Sequence, residues 1–204
     1  MPDFQTLLIW VIPVLLAITL HEAAHGWTAS KFGDHTARMM GRVTLNPVKH
    51  IDPVGTIIVP LALLIMSTGF IFGWAKPVPI NFNALRSPKS GMIWVALAGP
   101  GANLIMAIGW LFVAILTFNN NIPIMLKMAG AGIFINILLA VFNLLPIPPL
   151  DGSRILYHVI PDYWAYKLTQ FEAYGFVVIF FLAYFGLLFP IINSMLIPLE
   201  AVLL

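Results

Sequence analysis

Hydrophobic residues fall in five long blocks, and polar residues collect between them. The blocks run roughly over residues 4–28, 54–73, 91–118, 122–145 and 174–198. Each matches or approaches the length of about 20 mainly apolar residues that a helix needs to cross a bilayer. Three polar loops, about 29–53, 74–90 and 151–173, separate them. The predicted fold class is therefore all-α: a polytopic membrane protein, built as a helix bundle with four to five spans. No segment is left for a soluble accessory domain, and no internal repeat stands out, so residues 1–204 read as one membrane domain. The apolar run Phe4–Leu20 has only Asp3 before it, with no Lys or Arg, and a polar cluster rather than a small-residue cleavage site after it. It predicts a retained transmembrane helix and not a signal peptide.

Composition agrees. The chain is 60% hydrophobic and 9% charged, with a mean hydropathy of +0.95, against roughly 25% charged residues in a soluble domain. The net charge of +2 is too small and too scattered for a nucleic-acid surface. The six Trp and five Tyr suit the two membrane interfaces. The absence of cysteine excludes disulfides, thiolate metal sites and a cysteine nucleophile, so any metal must be held by His, Asp or Glu.

The basic residues orient the chain. Lys31, Arg38, Arg42 and Lys49 lie in the first loop, Lys76, Arg86 and Lys89 in the second, and Arg154 and Lys167 in the third; only Lys127 lies elsewhere. The positive-inside rule places all three loops in the cytoplasm. Strict alternation of five spans would put the second loop outside. The conflict resolves if 54–73, interrupted by Pro60 and Gly69, is a re-entrant hairpin.

Candidate chemistry starts at His21-Glu22-Ala23-Ala24-His25. Residues four apart on a helix share one face, about 6 Å apart along the axis. Two imidazoles so placed can bind one zinc, with Glu22 beside the first as general base toward a zinc-bound water. Ionisable groups inside a membrane helix are costly and functional by default. The plainer alternative is a set of interfacial residues reaching for water. Against it, Lys31 lies ten residues beyond His21, about 15 Å along the helix.

Catalytic zinc takes three protein ligands plus water. The candidate third is Asp151, after Asn143-Leu-Leu-Pro-Ile-Pro-Pro-Leu. Pro146, Pro148 and Pro149 end the helix and predict an extended segment, which at membrane depth implies a buried or wet cavity. Asp151 could equally cap the helix that follows, and by itself that is the stronger reading. Gly99, Pro100 and Gly101 suit close helix contact, while Asn103 and Asn136 should bond across helices. His50 and Asp52 read as loop residues rather than a second metal site, as do His35 and His158.

Together, HEAAHGW in a membrane helix, AGPGAN at 98–103 and NLLPIPPLDG at 143–152 resemble the site-2 protease family of intramembrane metalloproteases. GRVTLNPVKHIDPVGT and GWAKPVPIN are similar to its compact bacterial and archaeal branch, which lacks PDZ and CBS domains. Some members lack the 54–73 stretch, so its placement does not carry over. The resemblance implies one zinc per chain with His21, His25 and Asp151 as ligands and Glu22 as catalytic base. It places Asn143 near the site, helping to position substrate or oxyanion. It further implies transmembrane protein substrates; the apolar spans give a cell-membrane location, and the basic loops beside the motif put the active site toward the cytoplasmic side. A metal- or proton-coupled transporter is the alternative function; Glu22 between two ligand histidines has no evident use in transport.

Overall fold

The structure, a computed structural model, describes residues 4–66, 73–187, 190 and 194. Three helices are long and apolar enough to cross a membrane: α1 (Phe4–Lys31), α4 (Pro88–Asn119) and α5 (Pro123–Leu144). Shorter helices are α2 (Thr36–Met39), α3 (Val59–Ile65), α6 (Asp151–Val159), α7 (Asp162–Gln170) and α8 (Gly175–Tyr184). No strand occurs among the described residues. Most of the 174–198 block beyond α8 lies outside the described residues.

The bundle is small-inside and large-outside. Ala17, Ala29, Ala107, Ala129 and Ala140 are buried, while Ile105, Ile108, Phe112 and Ile115 of α4 are exposed. Lipid tails are as apolar as leucine, so such helices associate through close backbone approach rather than through hiding large side chains. α4 and α5 form an antiparallel pair joined by the turn Asn120–Ile122, where Asn121 takes φ 54°. At the other end, Ala107, Ile137, Val141, Leu145, Leu150 and Ile179 tie α4, α5, the proline-rich loop and α8 into one apolar cluster.

The 54–73 block does not run straight across. A π-helical turn, Pro53–Ile58, leads into α3, and together they cover 13 residues, about 20 Å at 1.5 Å per residue. That falls short of the roughly 30 Å hydrocarbon core. The chain is back beside its starting point at Trp74, whose N–H donates to Gly55 O at 3.1 Å while its carbonyl accepts from Thr56 Oγ1 at 2.8 Å. A Cβ at Gly73 would strike the Gly55 carbonyl, so glycine permits this close return. The ends of the block are thus adjacent, as a re-entrant hairpin requires.

Two expectations need correction. Residues 151–173 are not a loop: they form α6 and α7, short helices whose polar residues give way to apolar ones at helical spacing. Residues 145–150 are not extended but bent, closing a turn in which Leu150 N–H donates to Ile147 O at 2.9 Å. Prolines remove donors and fix φ, which suits a turn as well as a strand.

Candidate metal centre

α1 carries His21 and His25 one turn apart, and both rings point into the bundle. Their centroids lie 4.6 Å apart, edge to face, and their Nε2 atoms 3.0 Å apart. Asp151 Oδ2 lies 3.2 Å from each Nε2. The three predicted ligands therefore meet at one point, although 126 residues separate His25 from Asp151. Among the described residues this is the one group of three or more His, Asp or Glu that could hold a metal.

Local sequence makes room for it. A Cβ at Gly99 of α4 would overlie the Nε2 atoms of both histidines, so only glycine fits there. Gly152 sits against the carbonyls of Leu144 and Leu145, again with no space for a side chain. That close approach folds α6 back onto the end of α5 and aims Asp151 at α1. Asp151 is the first residue of α6, its N-cap is Leu150, and no side chain caps the helix. The capping alternative therefore fails, and the carboxylate is free for the site. Its position in the first turn also favours negative charge through the helix dipole.

The donor chemistry fits a cation. His25 Nδ1 lies 2.6 Å from the Val95 carbonyl, which only accepts, so Nδ1 carries the proton and the neutral ring presents an Nε2 lone pair. Asp151 Oδ2 is buried with no hydrogen bond despite its nearness to both rings. A carboxylate oxygen 3.2 Å from two imidazole nitrogens is stabilised by a positive charge among the three, which a bound cation would supply. Ligand atoms about 2.0–2.2 Å from a tetrahedral zinc lie about 3.3 Å from one another, close to the separations here. Two imidazole nitrogens and a carboxylate oxygen form a catalytic-zinc donor set.

Glu22 faces a strap that the sequence did not reveal. The extended residues 73–81 cross α1, and Val78 N–H donates to Glu22 Oε2 at 2.8 Å. The buried Arg42 holds the strap from behind, its Nη2 donating to Lys76 O at 2.6 Å and Pro77 O at 3.3 Å. Lys76 N–H donates to His50 O at 2.9 Å, and Asn81 N–H to Asp34 Oδ2 at 2.6 Å. Burial alone would raise the Asp34 carboxyl, but the hydrogen bonds from Thr36 and Asn81 hold it below the ordinary carboxylate value. In Pro77-Val78-Pro79 the flanking prolines have no N–H, so Val78 N–H is the sole backbone donor of those three residues. That arithmetic was visible in the sequence; its target was not.

Asn143, half-buried near the end of α5, donates through Nδ2 to Leu139 O at 2.9 Å in its own helix. His50 is buried, and Asp52 caps the π-helical turn by accepting from Val54 and Gly55 N–H, so neither joins a metal group. Asn103 and Asn136 bond across helices as expected, and they do so to each other, Asn103 Nδ2 to Asn136 Oδ1 at 2.9 Å; Asn103 also touches His21, which sequence reasoning missed.

No solved structure matches the chain significantly. The family model "Peptidase family M50" matches residues 120–187, which include Asn143 and Asp151. A Bacillus subtilis protein, "Putative zinc metalloprotease YwhC", is 41% identical over 196 residues, spanning 90% of this chain and 85% of that one. "Putative zinc metalloprotease Rip2" of Mycolicibacterium smegmatis is 30% identical over 81% of this chain and 62% of its own length. "Putative zinc metalloprotease MJ0611" of Methanocaldococcus jannaschii is 32% identical over 76% of this chain and 73% of its own. With a relative of that identity matched along nearly its whole length, and a site whose three donors suit zinc, the chain belongs to peptidase family M50, the site-2 proteases, and is a zinc metalloprotease.

Proposed function

We propose that this metalloprotease cuts peptide bonds in or beside the transmembrane segments of membrane-protein substrates. The observation that carries the reading is depth. His21, His25 and Asp151 meet inside a bundle of three membrane-length helices, and His21 lies ten residues before Lys31 at the end of α1, about 15 Å along its axis. A soluble protease has no reason to set its centre there.

His21, His25 and Asp151 hold the metal, which supplies Lewis-acid activation of water and stabilisation of negative charge on the substrate carbonyl. Glu22 takes the proton from the attacking water and delivers it to the leaving amine. Val78 N–H engages one oxygen of Glu22, which orients the carboxylate and leaves the other oxygen for the proton. Asn143, eight residues before Asp151, steadies substrate or oxyanion: one Nδ2 hydrogen goes to Leu139 O, leaving the second to donate to an oxyanion and Oδ1 to accept from a substrate N–H. A transmembrane helix hides its carbonyls in its own hydrogen bonds, so substrates must unwind at the cut.

A cleavage assay tests this in proteoliposomes. One cut sequence is placed either inside the single span of a model substrate or far out on a soluble tether. Cleavage is expected only at the membrane position; equal cleavage of the tethered site would overturn the intramembrane reading.

The same reading sets the site toward the cytoplasm, supported by the basic loops around it. Single cysteines at Ser30 and Ser87, in a chain that has none, would report sidedness without background. Both are expected to label from the cytoplasmic face. Labelling of the two from opposite faces would overturn the shared side.

A further inference from the structure

We infer that Asn103 fixes the tautomer of His21, so that the ring meets the metal with a lone pair instead of a proton. The inference rests on the reading of His21 as a ligand.

The logic runs inward from the far side of α5. The Gly132 carbonyl can only accept, and Asn136 Nδ2 lies 2.8 Å from it. The nitrogen end of Asn136 must therefore face Gly132, which turns its oxygen end toward α4. There Oδ1 lies 2.9 Å from Asn103 Nδ2. The same nitrogen lies 3.3 Å from the Ala17 carbonyl of α1, another group that only accepts. Two acceptors on two different helices thus hold the nitrogen end of Asn103. Its oxygen end is left for His21 Nδ1, at 2.6 Å. An amide oxygen cannot donate, so Nδ1 carries the proton, and in the neutral ring Nε2 is bare.

Amide and imidazole orientations are set by the surrounding hydrogen bonds, and here each link permits one polarity. Reversing Asn103 would face its NH₂ with the ring and its oxygen with two other oxygens. Both asparagines are fully buried, so water is not there to compensate, and unpaired polar groups in such surroundings are costly. The two histidines reach the same state by different means. His25 is fixed by a backbone carbonyl, Val95, that no substitution removes. His21 depends on one side chain 82 positions away, braced by another on a third helix.

Outer-shell partners of this kind typically change metal affinity 10- to 100-fold. The test measures zinc affinity of the purified full chain by competition with a chromophoric chelator, and the His21 tautomer of the metal-free protein by ¹⁵N NMR. Asn103→Leu removes the acceptor and both donated bonds; Asn103→Asp removes the donors but keeps an acceptor oxygen. Asn103→Leu is expected to bind zinc roughly 10- to 100-fold more weakly and to show an Nε2–H population, while Asn103→Asp, whose second oxygen faces Asn136 Oδ1 and Ala17 O, loses stability but keeps the Nδ1–H and binds zinc more tightly than Asn103→Leu. A merely structural Asn103 would weaken both variants alike, or lower thermal stability without touching affinity, and either result overturns the inference. Asn136→Leu touches neither ring and tests the brace should Asn103→Leu not fold. Loss of the single Nδ1–H tautomer with weaker zinc supports the relay, and an unchanged tautomer and affinity rejects it. His21→Ala is the reference: if it keeps its zinc, the ligand reading itself fails. If it loses zinc while Asn103→Leu keeps full affinity, the relay alone fails.

Discussion

Glu22→Gln should bind zinc normally and lose proteolysis almost entirely. The amide keeps the size of the carboxylate, and its oxygen can still accept from Val78 N–H, so the strap over α1 should stay in place. What disappears is the one group beside the donor set able to take a proton from water. Positioned bases contribute about 100- to 10,000-fold, and a loss in that range, with metal content unchanged, is the expected result. Turnover of a membrane substrate and zinc analysis of the same preparation decide the matter. Near-normal turnover would remove Glu22 from the reaction.

His21→Ala, His25→Ala and Asp151→Ala should each abolish stoichiometric zinc. Each deletes one of three donors whose atoms lie 3.0–3.2 Å apart, and the described residues contain no fourth His, Asp or Glu in the group. Two remaining protein donors leave the ion one position short of four-coordinate even with a water present. His35→Ala, in the turn before α2, should keep one zinc per chain. Full metal content in any ligand variant would displace that residue from the site.

The metal group was legible in the sequence because its signals are local. An i, i+4 histidine pair needs only a helix to face one way, and the apolar run around it supplies the helix. Asp151 was harder. A carboxylate after a proline-rich turn serves as a cap more often than as a ligand, and what rejects the cap is contact between Gly152 and the end of α5. No pattern along the chain encodes such a contact. Asn103 and Asn136 were readable as interhelical partners from their apolar setting, but not the direction of their hydrogen bonds. That direction depends on carbonyls contributed by α1 and α5. The strap residues 73–81 and Arg42 were missed because extended backbone leaves no periodic trace and its anchors are scattered from Glu22 to Thr56. α6 and α7 were read as loop because their helices are polar, and hydropathy alone sees only the buried kind.

The return of the chain at Gly55 and Trp74 bears on how the protein is inserted into its membrane. Because Gly55 and Trp74 lie side by side, the charged residues on either side of that block need not be carried through lipid. Asp34, Arg38, Arg42, Lys49, Asp52, Lys76 and Arg86 can all stay on one face, where each would otherwise meet a barrier of about 2.5–3.5 kcal/mol at the bilayer centre on the insertion scale. Between α4 and α5 the translocated piece is only Asn120-Asn121-Ile122, uncharged and already closed into a turn by Ile122 N–H to Thr117 O at 3.0 Å. α4 and α5 are thus joined closely enough to enter a membrane as one hairpin, with Asn103 and Asn136 already facing each other across it.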